Sequence, residues 1–497
     1  MMSSIKMSSV IGSYCLMLIA FTCWINAKSG EAFETFGFDI HHRYSDTVKQ
    51  FLNVDELPEK GTVEYYSAMA YRDHHLFKAR RLATAAKAPV TFFGGNESHN
   101  NNDLGHVHYS FITVGTPALK FLVALAPGSD LLWLPCDCIT CATSVYSEST
   151  EELLELNIYS PSKSRTSAPV PCNSTMCVKP KRGCSSSLNA CSYEEIYGNS
   201  STSGILVNDV LHLGTNVIPQ DIVDVPITLG CGKTQTGSFL DGGSINGVLG
   251  LGMDNISVPS VLANKGLVAN SFSLCFGSDG QGRVVFGDKG SPLRKTTPFN
   301  LQQSNPNYNI TVTQIAVKNS ATTTEFTAIF DSGFAFTYLT EPTYSFIVKH
   351  LDSLITETRV EPHLNFEYCY GLRSTQDDYT VPKLILTMKG GSQFTVTSPT
   401  LTFVTSLNGG YPLAYCLAIV ESDDINIIGE NFMTGYNVVF DREEMVLGWE
   451  ESDCYGNKEN SRTPKPNDVA RLSSMTTGVL VTVLLVILFQ HFIILSS

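Results

Sequence analysis

Basic residues are the minority charge in this sequence. Lysine and arginine number 33 against 47 aspartates and glutamates, a net charge of −14. That balance excludes a nucleic-acid-binding surface, which would gather lysine and arginine on one face. Residues 28–102 hold no cysteine, and no histidine stands at ligand spacing from the cluster Cys136, Cys138, Cys141. Neither a metal nor a cofactor is therefore expected, and the cluster reads as disulfide-forming. No basic residue follows the last apolar run, residues 478–495, where a stop-transfer helix would carry its cytoplasmic charges.

What is present points to β structure. Charged residues make up 16% and hydrophobic ones 43% of 497 residues, with many short apolar runs bounded by turn residues. Such runs, rich in Gly, Ser, Thr and Val, favour strands over helical bundles. The length calls for more than one core.

The two ends suggest where the chain resides. Lys6 precedes an apolar run over residues 10–25, closed by Ile25-Asn26-Ala27, so residues 1–27 are expected to be a signal peptide; a membrane anchor or a buried helix is the alternative. Residues 457–477 form a polar linker, its Pro-containing stretch 461–477 including the small residues Asn467 and Asp468. With the apolar tail 478–497 this makes the pattern of a GPI-anchor signal, a single transmembrane span being the alternative. Cell-surface or extracellular placement through the secretory pathway follows from either. Removal of Cys15 and Cys23 with the leader leaves twelve cysteines: Cys136, Cys138, Cys141, Cys172, Cys177, Cys184, Cys191, Cys231, Cys275, Cys369, Cys416 and Cys454. An even number suits an oxidising compartment. The sequons at Asn96, Asn173, Asn199, Asn255 and Asn309 fit the same route.

The chain divides by texture. Residues 28–102 contain a helix-compatible stretch over 63–86 carrying Arg72, Lys78, Arg80 and Arg81. A basic helix before an acidic body reads as a pro-segment that covers a cleft; a solvated extension is the alternative. From residue 107 strand follows strand, and the pattern repeats. Residues 108–114 and 121–125 lead to Ala126-Pro127-Gly128-Ser129, then to 131–134 with Trp133. Residues 308–315 and 326–330 lead to Asp331-Ser332-Gly333-Phe334, then to the aromatic run 335–339. The run 247–252 is echoed by Asn426-Ile427-Ile428-Gly429. A duplication about two hundred residues apart implies two similar β lobes, 103–298 and 299–456, with a cleft between them.

On these residues the chain resembles the pepsin-like aspartic peptidases, and among them the plant nepenthesin-like, GPI-anchored branch, over roughly residues 104–454. The resemblance implies an all-β, bilobal acid-protease fold with short helices and a central cleft. In such peptidases each lobe contributes one aspartate on a hydroxyl-bearing glycine turn; residues 121–133 match the first turn region and 328–339 the second. Tyr197 matches the flap tyrosine, within residues 197–204, and Gly250 and Gly429 match the glycines beneath the turns. The chemistry needs two facing carboxylates that share a proton and activate a water between them. Here Asp331 holds the second position, while Ala126 stands at the first, Pro127 replaces a threonine, and Phe334 replaces a hydroxyl residue. Asp130 is not expected to substitute as a catalyst, and Asp441 and Glu443 are expected at the surface.

Three functions stay open on this resemblance: a cell-surface pseudoprotease that binds a peptide or protein in its cleft, an active endopeptidase relying on Asp331, and a binding or inhibitor module. The chain is expected to act as a monomer, tethered to the membrane by its anchor or tail. By resemblance Cys369 and Cys416 pair within the second lobe. Of these twelve cysteines nine precede residue 298 and three follow it, so complete pairing requires a bridge between the halves. Cys454 is expected to supply it, with Cys231 as its partner.

Overall fold

The computed structural model describes residues 35–52, 58–84, 107–147, 152–179, 181–197, 200–214, 221–241, 243–277, 280–300, 307–361, 366–373, 379–404 and 412–455. The leader, the polar linker, the apolar tail, Asn96 and Asn199 lie outside these residues.

The fold is all-β and bilobal. A 15-stranded sheet carries the first half, and a 7-stranded sheet carries the second together with a 3-stranded one. Apolar sequence decides which strands run through the interior. In Leu119–Ala126 five consecutive residues, Phe121 to Leu125, are buried, as expected of a strand covered on both faces. In Ser320–Phe330 the Thr-rich beginning is solvent-facing and only the end, Ala328 and Phe330, is buried. The strands end at Ala126, partly buried, and at Phe330, buried, where the two turns begin.

The halves do not separate cleanly near residue 298. Strand Ser271–Phe276 pairs with Tyr436–Asp441, and Lys295–Pro298 pairs with Val446–Glu451. The chain's last strands therefore complete a sheet begun by the first half. Residues 36–42 are built into that sheet as well, antiparallel to Gln281–Phe286 on one side and to His108–Val114 on the other. The helix expected over 63–86 runs Val63–Thr84. Its residues Tyr65, Tyr66, Met69 and Ala70 belong to the same buried cluster as Trp133, Phe334, Phe336 and Phe403. Residues 36–42 and the side chains of Tyr65, Tyr66, Met69 and Ala70 are thus packed into the body.

Asp441 corrects an expectation. It is fully buried, not at the surface, and an ion pair with Arg294 at 2.9 Å compensates its charge. Its Oδ1 also accepts the amides of Glu443 and Glu444. Glu443 is exposed, as expected, and pairs with Lys289.

Six disulfides use all twelve cysteines: Cys136–Cys231, Cys138–Cys141, Cys172–Cys184, Cys177–Cys191, Cys275–Cys454 and Cys369–Cys416. The pair Cys369–Cys416 is the one expected. Cys454 does reach back to the first-half cysteines, but its partner is Cys275 instead of Cys231. Cys275 lies on the strand paired with Tyr436–Asp441, whereas Cys231 lies beside the strand Trp133–Thr140 and bonds Cys136 from it.

Candidate active-site cleft

The two turns are built alike. Ala126 ends its strand opposite Gly250 of the parallel strand Val248–Gly250, and its carbonyl accepts the amides of Ser129 (3.2 Å) and Leu251 (3.1 Å). Asp331 follows a strand that runs parallel to Ile427–Ile428. Its amide donates to the Ile428 carbonyl (3.1 Å), and its carbonyl accepts the Phe334 amide (3.1 Å). Each turn presses on a glycine. A Cβ on Gly250 would stand 2.4 Å from the Asp130 carbonyl carbon, and one on Gly429 would stand 2.1 Å from the Phe336 oxygen. Only glycine lets backbone approach so closely.

The side chains break the symmetry. At the second turn Asp331 is 4% exposed, and its Oδ1 accepts the Gly333 amide at 2.8 Å. Ser332 is buried beside it. Phe334 offers no hydroxyl; it is buried in the core, edge-on to Tyr338 with ring centroids 5.8 Å apart. At the first turn Ala126 presents a methyl group, and Pro127, buried next to it, has neither hydroxyl nor amide hydrogen. Gly128 is exposed at the tip. Asp130 turns away to accept the Asp254 amide at 2.9 Å, and burial raises its pKa. It fastens the loop after Gly250 and brings no carboxylate to the turn.

Tyr197 meets the first turn. It ends the strand Ala190–Tyr197 and faces Ser200 across the hairpin. Its hydroxyl lies 2.8 Å from Ser129 Oγ and accepts Trp133 Nε1–H at 3.1 Å. Phe239 packs on both rings, at 5.4 and 5.2 Å. Burial raises the Tyr197 pKa far above the usual phenol value, so the group stays a neutral hydrogen-bonding hydroxyl.

Two residues of the preceding helix reach the second turn. Arg72 Nη1 donates to the Gly333 carbonyl and lies 3.1 Å from Asp73 Oδ1. The Asp73 carboxylate, fully buried, accepts the amides of Ala335 (2.9 Å) and Phe336 (3.1 Å) and the hydroxyl of Tyr338 (3.3 Å). Burial pushes the Asp73 pKa up to about 6, against the pull of Arg72 and the three donors. The sequence reading took Arg72 only as part of a basic stretch and passed over Asp73. A single acid beside an arginine in an otherwise basic run was the available signal.

Other predicted positions are placed as follows. Asn173 and Asn255 are exposed. Asn309 is buried, its Oδ1 accepting Asn300 Nδ2–H at 2.6 Å. Among the described residues no group of three or more His, Cys, Asp or Glu could hold a metal.

Comparison with known proteins gives the lineage. A family model described as "Xylanase inhibitor N-terminal" matches residues 108–288, and one described as "Xylanase inhibitor C-terminal" matches residues 307–451. The chain is 47% identical to "Aspartyl protease family protein 1" of Arabidopsis thaliana over 91% of this chain and 88% of that protein. It is 37% identical to "Aspartic proteinase-like protein 1" of the same plant, over 89% and 86%, and 26% identical to "Aspartic proteinase nepenthesin-1" of Nepenthes gracilis, over 69% and 77%. Among solved structures, basic 7S globulin from soybean shares the fold at a TM-score of 0.55 and 18% identity, over 71% of this chain and 95% of that one. With family models matching both halves and relatives at this level of identity, the chain belongs to the plant pepsin-like aspartic protease family.

Proposed function

We propose that this family member binds a peptide or protein ligand in its cleft without cleaving it. One observation carries this reading: the turn that should bring the first carboxylate presents the methyl group of Ala126. A methyl group neither holds the attacking water nor moves a proton. Loss of one acid–base partner alone costs about 10²–10⁴-fold in rate, and members of a catalytic unit removed together can cost more. Pro127 and Phe334 remove the hydroxyls that would orient such a pair. The test is incubation of the purified protein at acidic pH with a mixed peptide library. No cleavage above background is expected. Restoring Ala126→Asp alone should recover little, and Ala126→Asp with Pro127→Thr and Phe334→Thr should recover much more. Robust cleavage by the unmodified chain, blocked by pepstatin, would overturn the reading in favour of an endopeptidase relying on Asp331, which the relatives' names favour.

The family-model descriptions favour a second reading, an inhibitor module directed at a glycosidase. Dose-dependent inhibition of a xylanase by the purified protein would support it, and inhibition absent at micromolar concentration would remove it. In either reading the protein sits at the cell surface on a GPI anchor, with glycans on exposed sequons such as Asn173 and Asn255. Phosphatidylinositol-specific phospholipase should release it from membranes. Retention with the apolar tail still detectable by mass spectrometry would establish a transmembrane span instead.

A further inference from the structure

One of the six disulfides differs from the rest in both reach and exposure. Cys138–Cys141 has a sequence separation of only 3. Its loop is open to solvent: Asp137 and Thr140 are exposed, and Ile139 between the two cysteines is 77% exposed. Four of the other bridges include at least one buried cysteine, which shields a sulfur from an attacking thiolate. The fifth, Cys172–Cys184, is accessible through the exposed Cys184, but its separation is 12. Folding and bridge formation are linked. The fold holds a bridge against reduction by as much as the bridge stabilises the fold, and that contribution falls with loop size. Cys138–Cys141 is therefore the bridge that the fold protects least.

The same bridge closes an irregularity in the sheet. Pro135 and Thr140 pair with Gly232 and Thr234 of the parallel neighbour, so the four residues 136–139 stand opposite Lys233 alone. Asp137 turns the chain into this bulge with a φ of +39°. The buried Cys136–Cys231 bridge pins the inner end of the bulge, whereas Cys138–Cys141 and the Thr140 pairing hold its outer end. That outer pairing continues to the hairpin of Tyr197. Thr234 pairs with Ser203, and Ser203 pairs with Glu194 on the strand that ends at Tyr197. Backbone order in such a ladder is shared between neighbours, so freeing the outer end of the bulge loosens the hairpin.

We propose that Cys138–Cys141 is a thiol-exchange site whose reduction by small thiols loosens the Tyr197 hairpin while the other five bridges stay closed. An external thiolate attacks one sulfur of the bridge, forming a mixed disulfide and releasing the other cysteine, which takes up a proton. A second thiolate attacks the external sulfur of the mixed disulfide, forming an external disulfide and freeing the remaining cysteine as a thiol. Two external thiols are oxidised as one bridge is reduced, and an external disulfide reverses both steps. The test equilibrates the full chain with mixtures of reduced and oxidised glutathione, blocks free thiols with N-ethylmaleimide and locates them by peptide mapping. Half-reduction of Cys172–Cys184 should need a ratio of squared reduced to oxidised glutathione about sixfold above that of Cys138–Cys141, following the three-halves power of loop size. Half-reduction of any other bridge at the same or a lower ratio overturns the proposal. Where Cys138–Cys141 alone is open, amides 194–197 and 200–203 should exchange hydrogen at least about threefold faster. Excess oxidised glutathione should restore the original rate. Unchanged exchange overturns the coupling to the hairpin and the proposal with it. Cys138→Ser with Cys141→Ser should show the faster exchange with no reductant present, and the unmodified rate in that folded variant overturns the proposal as well. If the variant does not fold, reversible reduction of the unmodified chain decides.

Discussion

Asp73 and Ala335 are 262 residues apart in sequence, yet the Asp73 carboxylate accepts the Ala335 amide at 2.9 Å in a site closed to solvent. That contact fastens the preceding helix to the second turn. Its removal strands two amide donors and leaves the Arg72 guanidinium buried without its carboxylate. Breaking a buried charged pair from one side costs about 3–5 kcal/mol. Asp73→Ala should therefore lower the hydrogen-exchange protection of residues 63–73 well before that of the strand Leu119–Ala126. Equal loss in both regions would mean that the helix and the body unfold together and that the contact is not a local fastening.

Acid should weaken the same region through His108. It is 5% exposed, touches Phe276 and His42, and burial pushes its pKa down from 6.5 to about 3, with the charges of Arg72 and His41 acting in the same direction. A depressed folded pKa contributes stability that is present above 6.5 and lost as pH falls toward 3. Asp73 works oppositely: its raised pKa gives stability present below 3.8 that is lost as pH rises through about 6. The shift of His108 is larger than that of Asp73, and His42 is also held well below its ordinary value, so these histidines oppose Asp73 as pH falls. Between pH 6.5 and about 4 the His108 contribution is about 3 kcal/mol. His108→Gln should shrink the fall in melting temperature between pH 7.5 and pH 4, and an unchanged fall would exclude His108 as its source.

The sequence revealed some of this and hid the rest for physical reasons. The turns at 126 and 331 were legible because each follows a short apolar stretch, 121–125 and 328–330, and each pairs with a glycine, signals that are local. Tyr197 was legible from the hairpin around it. Asp73 was not, because its partners lie more than 260 residues further along the chain and its helix shows only a basic composition. Asp441 was misread because an acidic residue in a strand-to-turn stretch ordinarily faces water, and Arg294, which compensates it, lies 147 residues away. Cysteine parity required a bridge between the halves, but parity carries no geometry. The adjacency of strands Ser271–Phe276 and Tyr436–Asp441 selects Cys275, and that adjacency is a property of the folded sheet.

The glycines under the turns give a direct test of how tightly the site is built. A methyl group on Gly429 would meet the Phe336 oxygen at 2.1 Å and the Phe334 oxygen at 3.1 Å, both backbone atoms that cannot rotate aside. Overpacking of this kind costs about 1–3 kcal/mol or more. Gly429→Ala should lower the free energy of unfolding, read from denaturant titration, by that amount and disturb the Asp331 turn. Gly266→Ala, at a position with open space around it but a φ of +69°, should cost only about 1 kcal/mol from backbone strain. Similar losses at both sites would show that the approach at Gly429 relaxes at little cost.

Cys275–Cys454 is the bridge whose loss should be felt most widely. It closes a loop with a sequence separation of 179, and the chain-entropy model assigns such a loop about 5 kcal/mol, of which measured values often deliver less. Cys275 is 4% exposed on a strand shared by both halves, and Cys454 follows the last strand, Val446–Glu451. Cutting the bridge lets the chain end peel from the sheet edge, where Val446–Glu451 also holds Lys295–Pro298. Cys275→Ser with Cys454→Ser should lower the melting temperature more than loss of Cys138–Cys141, which spans only 3 residues. It should also free the strands 436–441 and 446–451 to exchange before the 7-stranded sheet does. Non-reducing peptide mapping checks the premise. A Cys231–Cys454 peptide, or Cys454 recovered as a free thiol, would contradict the pairing and remove the reason to expect that order of exchange.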